Sequence, residues 1–327
     1  MYNKKNLGII FIFALIILSV IMLALTKFKI TEVKYNYQEE KSVEISRFEN
    51  VHYFKLKNAV KSIELSSNEL VITDNIYMNF SSPKGQVFSG SRVINYTSDK
   101  GVMNQVTKNL NLIGNVIVTD GVSEYTSDNI NYEGKADILR ANGNVKTKYI
   151  DAKTNDTILL KSNSMSSNLT QKMMTLEGSV TGELIRKRQY EGGLNFSAQT
   201  VVLNSLESNM TLSNNVKLHR NNYYLSAQNA QVFLENFNKK LKYYTLYDDV
   251  KLEETIMLRS GKSQMRRAYA EKLEAHQRSG KIILTGAPRV EQGDDVIKGY
   301  QITLRDNVEM VEVDDSQTSF SLKKDRN

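Results

Sequence analysis

The sequence predicts an all-β chain tethered to a membrane by one N-terminal helix. Three observations carry this expectation. The composition is dominated by Asn, Ser, Thr, Val, Ile, Leu and Tyr with only two prolines, apolar residues recur at every second position over long stretches, and one uncharged apolar run opens the chain. β-Branched and aromatic residues fit a pleated, half-buried surface, while Asn and Ser supply turns.

The apolar run comes first. From Leu7 to Leu25 no residue carries a charge, and a helix of that length, at about 1.5 Å per residue, matches a hydrocarbon core of about 30 Å. Leu, Ile, Phe and Val fill 14 of its 19 positions, each favouring insertion by roughly 0.3–0.6 kcal/mol. The competing reading, a cleaved signal peptide, has a shorter apolar core and a small-residue cleavage site, which Met22-Leu23-Ala24 supplies poorly. Residues 7–26 are therefore expected to form an uncleaved anchor behind a cytoplasmic tail of residues 1–6. Lysines flank both ends (Lys4 and Lys5, Lys27 and Lys29), so charge alone nearly balances the orientation.

A recurring phrase organises the rest. A hydrophobic or small residue is followed by turn-type residues and then Val, in Leu112-Ile113-Gly114-Asn115-Val116, Ala141-Asn142-Gly143-Asn144-Val145, Leu176-Glu177-Gly178-Ser179-Val180, Leu212-Ser213-Asn214-Asn215-Val216 and Leu246-Tyr247-Asp248-Asp249-Val250. A looser copy, Leu284-Thr285-Gly286-Ala287-Pro288-Arg289-Val290, inserts two residues before its Val. The copies lie 29 to 40 residues apart, room for two or three strands with turns. Around each copy the apolar residues keep period two, as in Leu112, Val116 and Val118, or Leu212, Val216 and Leu218, so one face is buried and the other wet. The turn-type residues interrupt that face, and the sheet should bend there in every repeat. Phe196-Ser197-Ala198-Gln199-Thr200-Val201 and Leu225-Ser226-Ala227-Gln228-Asn229-Ala230 read as return strands. Residues 39–96 read as a divergent cap, Arg266–Arg278 has some helical character through Ala268, Ala270, Leu273 and Ala275, and residues 315–327 read as a loose polar tail.

Chemistry is hard to find. There is no cysteine, hence no disulfide, thiolate nucleophile or Cys-based zinc site. His52, His219 and His276 share no metal-ligand spacing, and the acidic pairs such as Asp248-Asp249 and Glu253-Glu254 sit in turn-like contexts. No catalytic site, metal or cofactor is expected. The balance of 43 basic and 36 acidic residues, net +7, mildly favours anionic partners, but the clusters Arg186-Lys187-Arg188 and Arg266-Arg267 lie in no nucleic-acid-binding motif, and nucleic acid is not an expected partner.

Residues 283–293, 297–304 and 308–313, from Ile283-Leu284-Thr285-Gly286 through Ile297-Lys298-Gly299-Tyr300 to Val313, resemble the closing repeat of LptA/OstA-type periplasmic lipopolysaccharide-transport proteins. The anchor followed by Phe48-Glu49-Asn50-Val51 and Ile63-Glu64-Leu65-Ser66 is similar to LptC, the anchored partner in the same bridge. The resemblance implies an open β-jellyroll, a V-shaped pair of antiparallel sheets, with an LptC-like domain over 29–184 continuous with an LptA/OstA-like domain over 185–314. It implies lipopolysaccharide or a related glycolipid as cargo, and as partners other Lpt-type jellyrolls and the inner-membrane export ABC transporter, with the bulk of the chain in the periplasm. The acyl chains would lie against Leu112, Val116, Val118, Val145, Leu176, Val180, Phe196, Leu212, Val216, Leu218, Leu246, Val250, Leu252, Leu284, Val290, Ile302 and Leu304. Val308, Val311 and Val313 would form the edge that meets the next subunit. The alternative from the residues themselves is a membrane-tethered β-solenoid or adhesin whose repeats pack a dry core and bind a protein or the cell wall.

Overall fold

The structure, a computed structural model, describes residues 45–319 outside short segments, the longest being 151–154, 188–192, 236–239 and 306–309. The expected anchor and tail lie outside the described residues, among which no helix is long and apolar enough to cross a membrane.

All regular structure described is β. In chain order the strands are β1 (Ile45–Lys57), β2 (Val60–Thr73), β3 (Tyr77–Ser81), β4 (Lys84–Ser89), β5 (Arg92–Thr97), β6 (Lys100–Asn104), β7 (Leu110–Thr119), β8 (Ser123–Glu133), β9 (Ile138–Ile150), β10 (Thr157–Asn168) and β11 (Met173–Ile185). They continue as β12 (Leu194–Asn204), β13 (Asn209–Arg220), β14 (Tyr223–Glu235), β15 (Lys240–Met257), β16 (Ser263–His276), β17 (Lys281–Thr285), β18 (Arg289–Gln292), β19 (Asp295–Lys298), β20 (Gln301–Arg305), β21 (Val311–Asp314) and β22 (Gln317–Ser319).

From β7 to β16 each strand pairs antiparallel with its chain neighbours in one meander. Toward the ends single rungs split in two. Strands β3 and β4 lie end to end along β2, β6 and β5 continue from them, and both meet β7. At the other end β17 and β18 share β16, then come β20 with β19, and β21 with β22. The stretch read as a divergent cap belongs to this same sheet, with β1 as its terminal rung, paired among the described residues to β2 alone.

The expected bend is present at every copy of the phrase. Gly114 and Asn115, Gly143 and Asn144, Gly178 and Ser179, Asn214 and Asn215, Asp248 and Asp249, and Gly286 and Ala287 are consecutive pairs with positive φ. The ladder register shifts at the first five of these pairs, and at the sixth the rung separates into β17 and β18 around Pro288. Two residues in the left-handed region set against fewer on the partner strand make a bulge, which bends and twists its strand. Stacked from rung to rung, the bulges divide the sheet into two arms. Arm one contains Leu112, Leu176 and Leu246; arm two contains Val118, Leu218 and Leu252.

The minor helical reading of Arg266–Arg278 is set aside here. The segment is not helical, since Ser263–His276 is strand β16, paired with β15 over thirteen positions. Ala268 and Ala270 are buried in arm two, Leu273 and Ala275 in arm one, and Glu271 sits at the bend between them. A strand facing a bulge slips phase by one residue there. Its buried positions then run i, i+2, i+5, i+7, a spacing that imitates a helical stripe.

Candidate functional site: the apolar interior

The inner face is organised in lanes that run across the strands, one residue per rung. In arm one, cross-strand partners form an unbroken succession Phe48, Leu70, Phe80, Gly101, Leu112, Ile130, Ala141, Met165, Leu176, Val201, Leu212, Ala230, Leu246, Leu273, Leu284, Ile302 and Val313. None is polar. Leu304 lies in the next lane outward, opposite Ile282. In arm two a lane follows Tyr96, Val118, Tyr125, Thr147, Leu160, Gly182, Phe196, Leu218, Leu225, Leu252, Ala268, Val290 and Ile297. Gly182 is small for a local reason: a Cβ there would run into the Phe196 ring, which covers the glycine and fills its place in the lane. Burial pushes the Tyr96 hydroxyl up to about 12, with Tyr53 adding to the effect.

Between the arms, the Val of each phrase stands opposite a small residue: Val116 with Ser127, Val145 with Ser162, Val180 with Ala198, Val216 with Ala227, Val250 with Ala270. At a bend the inner side of the strands crowds, and a large partner would overpack it. The serines do not leave a bare hydroxyl inside. Ser67, Ser98, Ser127 and Ser162 each donate to the carbonyl two residues on, at 2.6, 2.9, 3.1 and 2.9 Å. Polar side chains lock the bend on the outside as well, where Asn115 donates to Asp99 and Asn144 to Asp128, both at 2.9 Å.

Fifteen of the seventeen aliphatic and aromatic residues expected to face the interior are buried members of one hydrophobic cluster, and Val118 and Phe196 pack against it. Val180, Leu212, Val216, Leu246, Leu252, Leu284, Val290, Ile302 and Leu304 are fully buried, at 0% exposure, so their side chains fill the interior against one another. Lys217 and His219, between them, are exposed, as strand alternation requires. Of the three edge residues, Val311 and Val313 lie on β21 and pack against the cluster, whereas Val308 lies outside the described residues. Sequence reasoning missed Ser98, Ser127 and Ser162. Their signal was present in Tyr96-Thr97-Ser98-Asp99, Tyr125-Thr126-Ser127-Asp128 and Leu160-Lys161-Ser162-Asn163, the same return-strand phrase with Ser in place of Ala.

The interior also holds polar contacts between the arms. Tyr223 belongs to arm two and Tyr244 to arm one, and their hydroxyls meet at 3.0 Å. Nearby, the fully buried Arg266 of arm two holds Glu254 through Nη2 at 2.5 Å and Nε at 3.2 Å, and donates to the Arg305 carbonyl of arm one at 3.1 Å. These contacts show that the inner faces of the two arms are turned toward each other, and they clasp the arms at their outer ends in the C-terminal part of the sheet. The sequence places Glu253-Glu254 in a turn-like context and Arg266-Arg267 in no binding motif, and neither reading anticipates a buried pair. In each pair, alternation sends one residue in and one out: Glu254 and Arg266 are buried, Glu253 and Arg267 pair outside.

A sheet of this kind offers an apolar interior and no cluster of metal-ligating side chains among the described residues. Comparison with known families decides its kinship, because the family model described as lipopolysaccharide-assembly, LptC-related, matches residues 10–186, more than half of the chain. The chain belongs to the LptC-related family. In this LptC-related protein a second model, LptA/(LptD N-terminal domain) LPS transport protein, matches residues 195–309. The two matches meet near the β11–β12 connection, and β11 and β12 are paired from Met173↔Asn204 to Leu184↔Leu194, so the sheet passes from one to the other without a break. No curated protein sequence matches the chain. Among solved structures, the chain is similar to LptH, the LptA homologous periplasmic component of the lipopolysaccharide transport device of Pseudomonas aeruginosa, with 11% identity over 40% of this chain and 97% of that one, at a TM-score of 0.37.

Proposed function

We propose that this LptC-related protein is the inner-membrane-anchored, periplasmic component of a lipopolysaccharide export bridge, taking lipid A acyl chains between its arms and passing them toward the outer membrane. The observation that carries the reading is the arm-one lane, apolar at every rung from Phe48 to Val313. Removing acyl chains from water is worth about 0.8 kcal/mol per CH₂, so such a lane holds a multi-chain lipid without directional contacts. The arms open to admit it, since the interior side chains fill the space in its absence. Residues 7–26 are the anchor, and the chain is expected in the membrane pellet after alkaline washing; recovery of a soluble form beginning near Thr26 would show a cleaved leader instead.

The full burial of Val180, Leu212 and Val216 favours a second reading, a solenoid with a permanently dry core. Photo-crosslinking separates the two. A crosslinking side chain at Val216 is expected to capture glycolipid in cells, and the same probe at the outward Lys217 is not. Crosslinks from Val216 to the protein alone, with none to lipid there or at Leu112, Val180 and Val250, would remove the transport reading. Equal lipid capture at Val216 and Lys217 would remove the face assignment.

The partners are other Lpt-type jellyrolls and the export ABC transporter, met at the sheet ends, because β21 pairs among the described residues with β20 alone and an unpaired edge is a template for strand addition. Val311→Pro removes a backbone donor from that edge. It is expected to weaken co-purification with the next jellyroll while leaving the melting transition nearly in place; unchanged co-purification would move the docking edge elsewhere.

A further inference from the structure

The outer face of arm two holds a line of residues that no reading of the interior explains. Cross-strand partners run from Lys84 on β4 through Thr97, Ile117 and Thr126 to Lys146, Lys161 and beyond, ending with Arg289 and Lys298. Lys217 and Lys251 lie between, separated by hydroxyl-bearing residues such as Thr181, Ser197 and Ser226. Not one of the fourteen positions is Asp or Glu, and none is buried. The next outward line of the same arm is mixed in charge, carrying Glu64, Glu124, Glu183, Glu253 and Glu291 beside Lys148 and Arg267. Among the described residues Lys251 and Arg289 draw on it, pairing with Glu253 and Glu291.

Two further features point to a ligand. Lys146 stands directly opposite Lys161, and Arg289 directly opposite Lys298; like charges facing each other across strands destabilise a sheet, and an anion bound between them relieves that repulsion. Between β10 and β14 the line borders a concavity of about 410 Å³, where Lys161, Thr181, Ser197 and Lys217 share the wall with one carboxylate, Glu183, and with His219 and Tyr224, whose ring centroids are 5.3 Å apart. Cations, hydroxyls and an aromatic surface together suit a sugar bearing phosphate. Two of the carboxylates at the bends, Asp99 and Asp128, are already engaged by Asn115 and Asn144.

We propose that this line is a track for the phosphate groups of a phosphorylated glycan, lying on the outer face while the interior deals with hydrocarbon. Its source as the headgroup of the transported glycolipid rests on the proposed function; the phosphate-and-sugar chemistry does not. A line of separated cations suits discrete phosphates along a flexible saccharide, and strands stacked about 4.8 Å apart set the increments between them. The sites are exposed, so binding should weaken steeply with salt.

The test measures binding of a deacylated, phosphorylated lipopolysaccharide oligosaccharide to the detergent-solubilised full chain by calorimetry, beside the same oligosaccharide after dephosphorylation. The phosphorylated form is expected to bind and the dephosphorylated form not, and K146Q/K161Q/K217Q to weaken binding by roughly tenfold or more without lowering the melting temperature. Thr181→Glu, which places a carboxylate in the line, should weaken it as well and covers the case in which the triple variant is poorly folded. Equal binding of the two oligosaccharides, or unchanged binding in both variants, overturns the proposal. So does equal affinity for a single-stranded oligonucleotide, which would make the line a general polyanion patch, or full displacement by an equal concentration of inorganic phosphate, which would make it a set of isolated anion sites. The probe carries no acyl chain, so failure here leaves the Val216 crosslinking result untouched, and failure at Val216 leaves this one standing.

Discussion

Arg266→Ala is expected to destabilise the fold by about 3–5 kcal/mol, because it strips a fully buried Glu254 carboxylate of the guanidinium that it pairs with and leaves the Arg305 carbonyl without that donor. The pair itself is not required for stability. Taking two charges out of water costs about what their attraction returns, and buried pairs are often replaced by apolar residues without loss. The double variant Arg266→Met/Glu254→Leu should therefore recover most of what the single variant loses. Denaturant unfolding of the detergent-solubilised chain measures both. A single variant within about 1 kcal/mol of the parent would mean that Glu254 finds another cation or water, and that the clasp is weaker than its geometry indicates.

Gly143→Val is expected to lose about 3 kcal/mol or more, since a β-branched residue is held at φ 77° and its Cβ is driven into the Asp128 carboxylate. The two causes can be separated. Asn214 occupies the equivalent place in a later copy at φ 63°, so Gly143→Asn tests the steric part with little backbone strain. Gly143→Val combined with Asp128→Gly tests the strain with the clash relieved, and should fall between the parent and the single variant. If Gly143→Val melts with the parent, the bend line is not a fixed feature of the sheet, and the lanes on either side need not keep their register.

The bend shows why some of this fold was legible in the sequence and some was not. The Val phrase marks itself, because two left-handed residues favour Gly, Asn or Asp, with Ser179 and Ala287 the exceptions, and the Val that follows must reach the interior. The lanes through Leu112, Leu212 and Leu246 could accordingly be placed by periodicity. The return strands hid their half of the pattern. Opposite the phrase, crowding requires a small side chain but does not require an apolar one, so Ser127 and Ser162 do the work of Ala198 and Ala227 and disappear from a hydrophobicity reading. The phase slip at the same point made Ala268 through Ala275 look helical. The clasp was invisible for another reason: Tyr223 and Tyr244 meet across the interior only after two bends have turned their arms together, and no local pattern encodes that contact. The outer cationic line is likewise a property of register, since neighbouring members are separated by up to 25 residues in the chain.

The uniformity of the arm-one lane has a consequence for how cargo would travel. Moving a hydrocarbon chain by one rung mostly exchanges a Leu for an Ile, a Val or a Met, and at Gly101, Ala141 and Ala230 for a smaller residue, steps of about 2 kcal/mol or less in apolar contact that thermal motion crosses readily. The potential along the lane is therefore shallow, with no well deep enough to hold a chain and no barrier high enough to stop one. A passenger on such a surface diffuses in both directions. Net direction must then come from the ends, from loading at one and removal at the other.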